Sequence, residues 1–246
     1  MAQGKKIALV TGANRGIGLE TARQLGQQGI VVVLASRKLS DAEAAAAKLK
    51  AEGIEAHAVQ LDVTKAQDRT AAAKYLEKTF GKLDILINNA GIATDGAFWG
   101  NNTLEVTEDE LRRIYETNFF SVILLTNQLI PLIRKSEAGR IVNLSSILGS
   151  LTLNADPSSP IAGSKLFAYN SSKTALNSYS ILLADALKDT PIKVNSVHPG
   201  WVKTEMGTDV APMEIPDGAK TSVAAALLGP DGPSGRFIHL GEELPW

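Results

Sequence analysis

Lys5–Gly18 reads KKIALVTGANRGIG. Ile7 to Val10 form an apolar run rich in β-formers, too short for a free-standing helix, and read as a buried strand. Gly12, Gly16 and Gly18 follow at the spacing G-x-x-x-G-x-G. Such glycines permit a tight turn and let main-chain N–H groups press against an anion. A helix opening near Ile17 then directs its positive end at a pyrophosphate. The spacing differs from the common G-x-G-x-x-G fingerprint, yet strand, glycine turn and helix stand in the order that dinucleotide binding requires. The alternative is a structural turn in some other α/β protein.

Outward from this stretch the chain alternates strand with helix. Strands are expected at Ile7–Val10, Ile30–Ala35, Ala56–Gln60, Leu83–Ile87, Arg140–Leu144, Lys193–Val197 and Arg236–Leu240. Helical stretches separate them, three with capping-box starts: Ser40 with Glu43, Thr64 with Gln67, and Thr107 with Glu110. The strands are nearly unalternated in apolarity, as expected when helices cover both faces of a parallel sheet. The order βαβα predicts an α/β fold, a doubly wound parallel sheet of Rossmann type. No linker, repeat or low-complexity tract divides the chain, so one dinucleotide-binding and catalytic domain is expected over 1–246. Two segments break the rhythm, about 147–165 and 201–218. Long irregular connections in such folds are often active-site walls or lids, the alternative being surface decoration.

Composition narrows the function. Among 246 residues, 25 Lys and Arg balance 26 Asp and Glu, which gives no electrostatic reason to expect nucleic acid or an anionic membrane as partner. Cysteine is absent, which removes disulfides, thiolate catalysis and cysteine–metal sites. His57, His198 and His239 are scattered without ligand spacing, so no metal site is expected. No secretory leader or 20-residue apolar span is visible, and a soluble cytoplasmic enzyme is the expectation.

The chemistry concentrates in Tyr169 and Lys173, one helical turn apart and so on one face. A phenol titrates near pH ~10, too high for acid–base work at neutrality, and an adjacent ammonium lowers that value. Alone, such a pair recurs by chance. Strand Arg140–Leu144, however, ends in Ser145–Ser146, at the carboxyl edge where these sheets bind ligands. Asn118 is a polar residue in the apolar helical run ETNFFSV, the kind that binds a water or a backbone group at a local kink. Asn88–Asn89–Ala90–Gly91 follows the fourth strand.

In order along the chain, TGANRGIG, NNAG, the Asn118 segment, Ser145–Ser146, Tyr169-x-x-x-Lys173 and His198-Pro199-Gly200 together resemble the short-chain dehydrogenase/reductase family. The likeness runs from about Lys5 to Leu240. The strings PGWVKTEM, Phe119–Phe120 and GRIVNLSS resemble the carbonyl reductase subgroup most. The resemblance implies that Tyr169 protonates the carbonyl oxygen and that Lys173 lowers its pKa and holds the nicotinamide ribose. It further implies that Ser146 hydrogen-bonds the substrate oxygen, Ser145 being structural, and that Asn118 orders a water leading to Lys173. Gly12, Asn14, Arg15, Gly16, Ile17 and Gly18 would cradle the phosphates, and Asp62 and Val63 would flank adenine. Asn89 and Ala90 would lie along the adenosine ribose, and Val202 and Thr204 would fix the carboxamide. Ser146 and Tyr169 lie 23 positions apart, roughly twice the separation of many members. Carbonyl reductases are enlarged here too. The enlargement bears on assembly, because the Tyr169 helix commonly forms the family's interface. A homodimer or homotetramer is expected, with a monomer as the alternative.

Ser36 stands where an NAD enzyme carries a ribose-binding acid, and Arg15 and Arg37 offer donors to a 2′-phosphate, which favours NADPH. Asp41 belongs to a helix's first turn instead. Phe98, Trp99, Trp201, Met206 and Met213 are candidates for an apolar substrate pocket, or for ordinary packing. His198 reads as structural. The expected activity is NADPH-dependent reduction of small aldehydes or ketones. The alternatives are a 3-oxoacyl-carrier reductase and a non-catalytic dinucleotide-binding sensor.

Overall fold

The computed structural model describes residues 4–93 and 100–246; Phe98 and Trp99 lie outside the described residues. In chain order it holds β1 (Ile7–Thr11), α1 (Gly16–Gln27), β2 (Val31–Ser36), α2 (Leu39–Ala51), β3 (Ala56–Gln60) and α3 (Ala66–Phe80). Next come β4 (Ile85–Asn88), β5 (Gly100–Asn101), α4 (Glu108–Tyr115), α5 (Ser121–Ile133), β6 (Arg140–Leu144) and α6 (Leu151–Ala155). The chain closes with β7 (Ser164–Lys165), α7 (Phe167–Ala186), β8 (Lys193–Val197), α8 (Ile215–Ala226), β9 (Arg236–His239) and β10 (Glu242–Glu243). Eight strands form one sheet in the order β10-β9-β8-β6-β4-β1-β2-β3, and β5 pairs with β7 apart from it. All neighbours in the large sheet run parallel except β10, which pairs antiparallel with β9.

The unalternated strands are explained by the two faces. Ile7 and Leu9 join Val31, Val33, Leu76, Leu125 and Leu183 under α3, α5 and α7. Ala8 and Val10 point the other way, to Leu25, Val32, Leu34, Leu49 and Ala225 under α1, α2 and α8. Strand order reverses between β1 and β4, and the crevice at their carboxyl ends is the place where such sheets bind ligands.

The expected strands and the doubly wound sheet are present, and four expectations about helix starts and connections are corrected. Thr107 caps α4, accepting the Glu110 N–H at 3.2 Å. Ser40 and Thr64 cap nothing. Helix α2 begins before Ser40, at Leu39. The Thr64 hydroxyl is taken by Asp62 Oδ1 at 2.7 Å in a local turn ahead of α3. The segment expected to be irregular up to 218 ends earlier, because Pro216 sits in the first turn of α8, where a missing N–H costs nothing. The 147–165 connection is also structured, into a 3-10 turn at Ile147–Gly149, α6 and β7.

One buried acid ties the sheet's opposite edge. Asp84, 3% exposed, accepts the Ile7 N–H at 2.8 Å and the Ser136 hydroxyl at 2.6 Å, and pairs with Lys82 at 3.0 Å. Deleting the carboxylate leaves two buried donors without an acceptor, worth ~1–3 kcal/mol each. Asp84→Ala should therefore lower unfolding stability in urea by about 3 kcal/mol while leaving the carboxyl-edge cleft intact. A loss under ~1 kcal/mol would show that water replaces the carboxylate.

Candidate active site

The glycine turn joins β1 to α1. Gly12 and Gly16 have φ of 62° and 56°, in the left-handed region that side-chain-bearing residues avoid. At Gly18 the demand is space, since a Cβ would collide with the Gly12 carbonyl oxygen and the Asn89 amide. Helix α1 opens without a side-chain cap or an acid in its first turn, so its leading N–H groups are left for an anion. These features fit a pyrophosphate.

The turn is sewn to the end of β4. Thr11 Oγ1 accepts the N–H groups of Asn89 and Ala90 at 3.0 and 2.9 Å, and Asn89 Nδ2 donates to the Thr11 carbonyl at 2.7 Å. In the sequence Thr11 has no role beyond the first position of TGANRGIG; in the structure it is the last residue of β1. Asn89 uses its amide on the turn itself, and it also lines the cleft.

The cleft encloses about 240 Å³ between the glycine turn, the Ser145–Ser146 strand end and the 198–207 segment. Tyr169 and Lys173 reach it from α7, Ser146 from β6, and Val202, Thr204, Trp201 and Met206 from the far side. Asn118 stands behind it, in a π-helical turn (Glu116–Phe120) between α4 and α5. Its amide donates to the Ile92 carbonyl at 2.8 Å and its oxygen accepts the Ile92 N–H at 2.9 Å. The same Nδ2 reaches Ser172 Oγ at 3.2 Å. The local kink expected at Asn118 is thus this wide turn, and the group it binds is a backbone pair.

The remaining candidates sit along the glycine turn and the adjacent strand ends. Ser36 is buried at the tip of β2, its hydroxyl donating to the Lys38 carbonyl at 2.6 Å. Arg37 is exposed next to it. Burial pushes the Asp62 carboxyl up, but hydrogen bonds from Thr64 and the charges of Lys65 and Arg37 hold it below the ordinary range. Val63 is buried and lends its carbonyl to Arg69 at 2.7 Å. Arg15 is ion-paired with Glu205, which joins the glycine turn to the segment after Thr204. Met213 is not in the cleft wall; its sulphur packs against Gly200. His198 lines the cleft, and burial with His239 nearby pushes its imidazole down to about 3, so it is neutral.

Tyr169 and Lys173 are both buried. Burial pushes the Tyr169 phenol up to about 12, a hydrogen bond with Ser146 pulling the other way. Burial pushes the Lys173 ammonium down to about 8. Its Nζ donates to the Leu144 carbonyl at 2.8 Å and lies 5.6 Å from the Tyr169 ring centre. Ser145 and Ser146 both line the cleft, and the Ser145 hydroxyl also lies 3.5 Å from the Lys173 carbonyl. Sequence reasoning missed Leu148, Pro160 and Ile161, which complete the wall beside Tyr169. Their apolarity carries no motif.

A family model for short chain dehydrogenase matches residues 6–215. The chain belongs to that family. A short-chain dehydrogenase/reductase from Saponaria officinalis is 34% identical, over 98% of this chain and 96% of its own. Among solved structures, salutaridine reductase from Papaver somniferum superposes with a TM-score of 0.81 at 31% identity, covering 95% of this chain and 99% of that one. An NADPH-bound carbonyl reductase from chicken fatty liver superposes with a TM-score of 0.85 at 26% identity, over 98% and 99% of the two chains. The family's enzymes are oxidoreductases, and carbonyl reductases are among this chain's structural neighbours. No helix among the described residues is long and apolar enough to cross a membrane.

Burying Lys173 has a measurable consequence. Its folded-state value near 8 lies below the ordinary 10.5, a difference of ~3 kcal/mol against the fold at 1.36 kcal/mol per pH unit. Below pH 8 the ammonium is charged in both states and the penalty is full. Between 8 and 10.5 only the unfolded chain keeps the proton, so the penalty shrinks. Lys173→Met should accordingly be more stable than the wild type at pH 7 by up to ~3 kcal/mol in urea denaturation, the gap narrowing at pH 10. A variant less stable at both pH values would mean that the bond to Leu144 outweighs desolvation.

Proposed function

We propose that the protein reduces uncharged aldehydes or ketones with NADPH. The observation that carries this reading is a phenol, a hydroxyl and an ammonium converging at the mouth of an apolar cleft next to an anion-ready glycine turn. Gly12, Asn14, Gly16, Ile17 and Gly18 hold the pyrophosphate, and Asp62 and Val63 flank the adenine. Asn89 and Ala90 lie along the adenosine ribose. Arg37, with Ser36 and Arg15, takes the 2′-phosphate, and Val202 and Thr204 take the carboxamide. When bound, the reduced nicotinamide supplies a hydride to the carbonyl carbon.

The chain's own groups do the rest. Ser146 donates a hydrogen bond to the carbonyl oxygen, and Tyr169 transfers its phenolic proton to that oxygen as negative charge develops. In the cofactor-free cleft the phenol keeps its proton at neutral pH but is held above the ordinary range by burial. The lowering expected from Lys173 would have to come with the bound cofactor's positive charge as the reaction proceeds. Lys173 stabilises the phenolate left behind and holds the nicotinamide ribose. Asn118, its side chain bonded to Ile92 and Ser172, would order the water leading to Lys173 that the family resemblance implies. The cleft wall offers Ile92, Leu148, Ile161, Trp201 and Met206, and among the described lining residues Lys173 alone carries a full charge. An apolar, uncharged substrate fits that wall.

Tyr169→Phe should lower kcat by ~10²–10⁴-fold and leave the NADPH dissociation constant, read by nicotinamide fluorescence, within about twofold. Retention of more than a tenth of the activity would overturn the assignment. Ser146→Ala should be severe and Ser145→Ala mild in the same assay.

Cofactor choice gives a separate test. The 2′-phosphate carries nearly two negative charges, and charge-assisted bonds contribute ~1.5–3 kcal/mol each. Wild-type kcat/KM should favour NADPH over NADH by ~10²-fold, and Ser36→Asp with Arg37→Ala should invert the preference. Equal wild-type values would show both arginines to be solvated surface charges.

A further inference from the structure

The 147–165 segment supplies the apolar wall beside Tyr169: Leu148 and Ile161 line the cleft and pack, with Leu166 just beyond the segment, against Tyr169 in a cluster separate from both main cores. Hydrophobic burial holds the segment's middle only weakly, through the partly buried Leu153 packed on that cluster. Helix α6 has five residues and buries none of them, with Leu151 65% exposed. So short a helix has no stability of its own.

What holds it is Asn154. Its Nδ2 donates to the carbonyls of Leu148 and Ser150, each at 2.8 Å. Its Oδ1 accepts Lys165 Nζ at 3.2 Å and Asn170 Nδ2 at 3.3 Å, and its main-chain carbonyl takes Lys165 Nζ again at 2.7 Å. Asn170 directly follows Tyr169 and is itself tied to the Ser164 carbonyl at 3.0 Å. One side chain thus joins the wall, β7 and the first turn of the catalytic helix. A second fastening runs from Thr174 Oγ1 to the Gly149 carbonyl at 2.9 Å.

We propose that Asn154 is a positioning residue that sets which carbonyl compounds the cleft accepts. By pinning Leu148 and Ile161 at a set distance from Tyr169, it presents bulky apolar substrates with a preformed surface. Small carbonyl compounds need only Tyr169, Ser146 and the cofactor. Preformed surfaces bind better because less freedom is lost on binding. The inference rests on the reductase reading given above.

The test uses the NADPH-loaded enzyme with propanal and a fused bicyclic ketone as substrates. Asn154→Ala should raise KM for the bicyclic ketone about tenfold with kcat within about threefold, while kcat/KM for propanal and NADPH binding stay within about twofold. Asn154→Asp keeps an acceptor for Lys165 and Asn170 but sets an oxygen against the Leu148 and Ser150 carbonyls, and should match or exceed the alanine effect. If Asn154→Ala does not fold, Lys165→Met, which removes only the ammonium, should show the same split at about threefold. Equal changes for both substrates, or no rise for the bicyclic ketone, would overturn the proposal and make Asn154 merely structural. A wild type that reduces neither substrate overturns the reductase reading itself, and this inference with it.

Discussion

A lysine buried beside a tyrosine, with one main-chain carbonyl as its partner, is the constraint on which the rest of the cleft depends. The Lys173 ammonium is held by Leu144 at the end of β6, so the strand's last peptide and the catalytic helix must keep a fixed separation. That requirement dictates where Ser146 leaves the strand and how α7 crosses it. Burial moves both groups away from their ordinary ranges, the phenol up and the ammonium down, and the stability lost there must come from elsewhere in the sheet.

The sheet supplies it through ties that carry no chemistry. Thr11 and Asn89 close the seam between β1 and β4, the point where strand order reverses, and so tie the glycine turn to the end of β4. Asp84 does the equivalent at the opposite edge. Between them the cores on both faces of the sheet are aliphatic and dense, and the anion-binding turn is placed relative to Tyr169 by strands rather than by loops.

Much of this was legible before any coordinates. Runs of β-branched residues and spaced glycines are local signals, and strands at 56–60, 140–144 and 193–197 occupy the expected positions. Signals that act at a distance were not legible. Ser40 and Thr64 look like caps in a four-residue window, but Lys38 and Asp62 decide where the chain turns. Arg15 reads as a phosphate donor, and its ion pair with Glu205 joins residues far apart in sequence. The bonds of Asn154 are of the same kind, since two of its partners lie beyond the segment's own turn. Tyr169 and Lys173 were readable because one helical turn connects them; Leu148 and Ile161 were not, because any aliphatic wall is written with the same letters.

The short strand β10 has a consequence for the molecule in a crowded solution. An open sheet invites another chain to continue its ladder, and β9 would otherwise be the outermost parallel strand on its side. Instead Glu242 and Glu243 pair antiparallel against His239 and Ile238 and then stop, both exposed, with the Glu243 carboxylate ion-paired to Arg236 of β9 at 3.2 Å. A second copy approaching edge-on meets a ladder only two residues long, with Glu243 already engaged by Arg236, and finds little backbone for continuing the sheet.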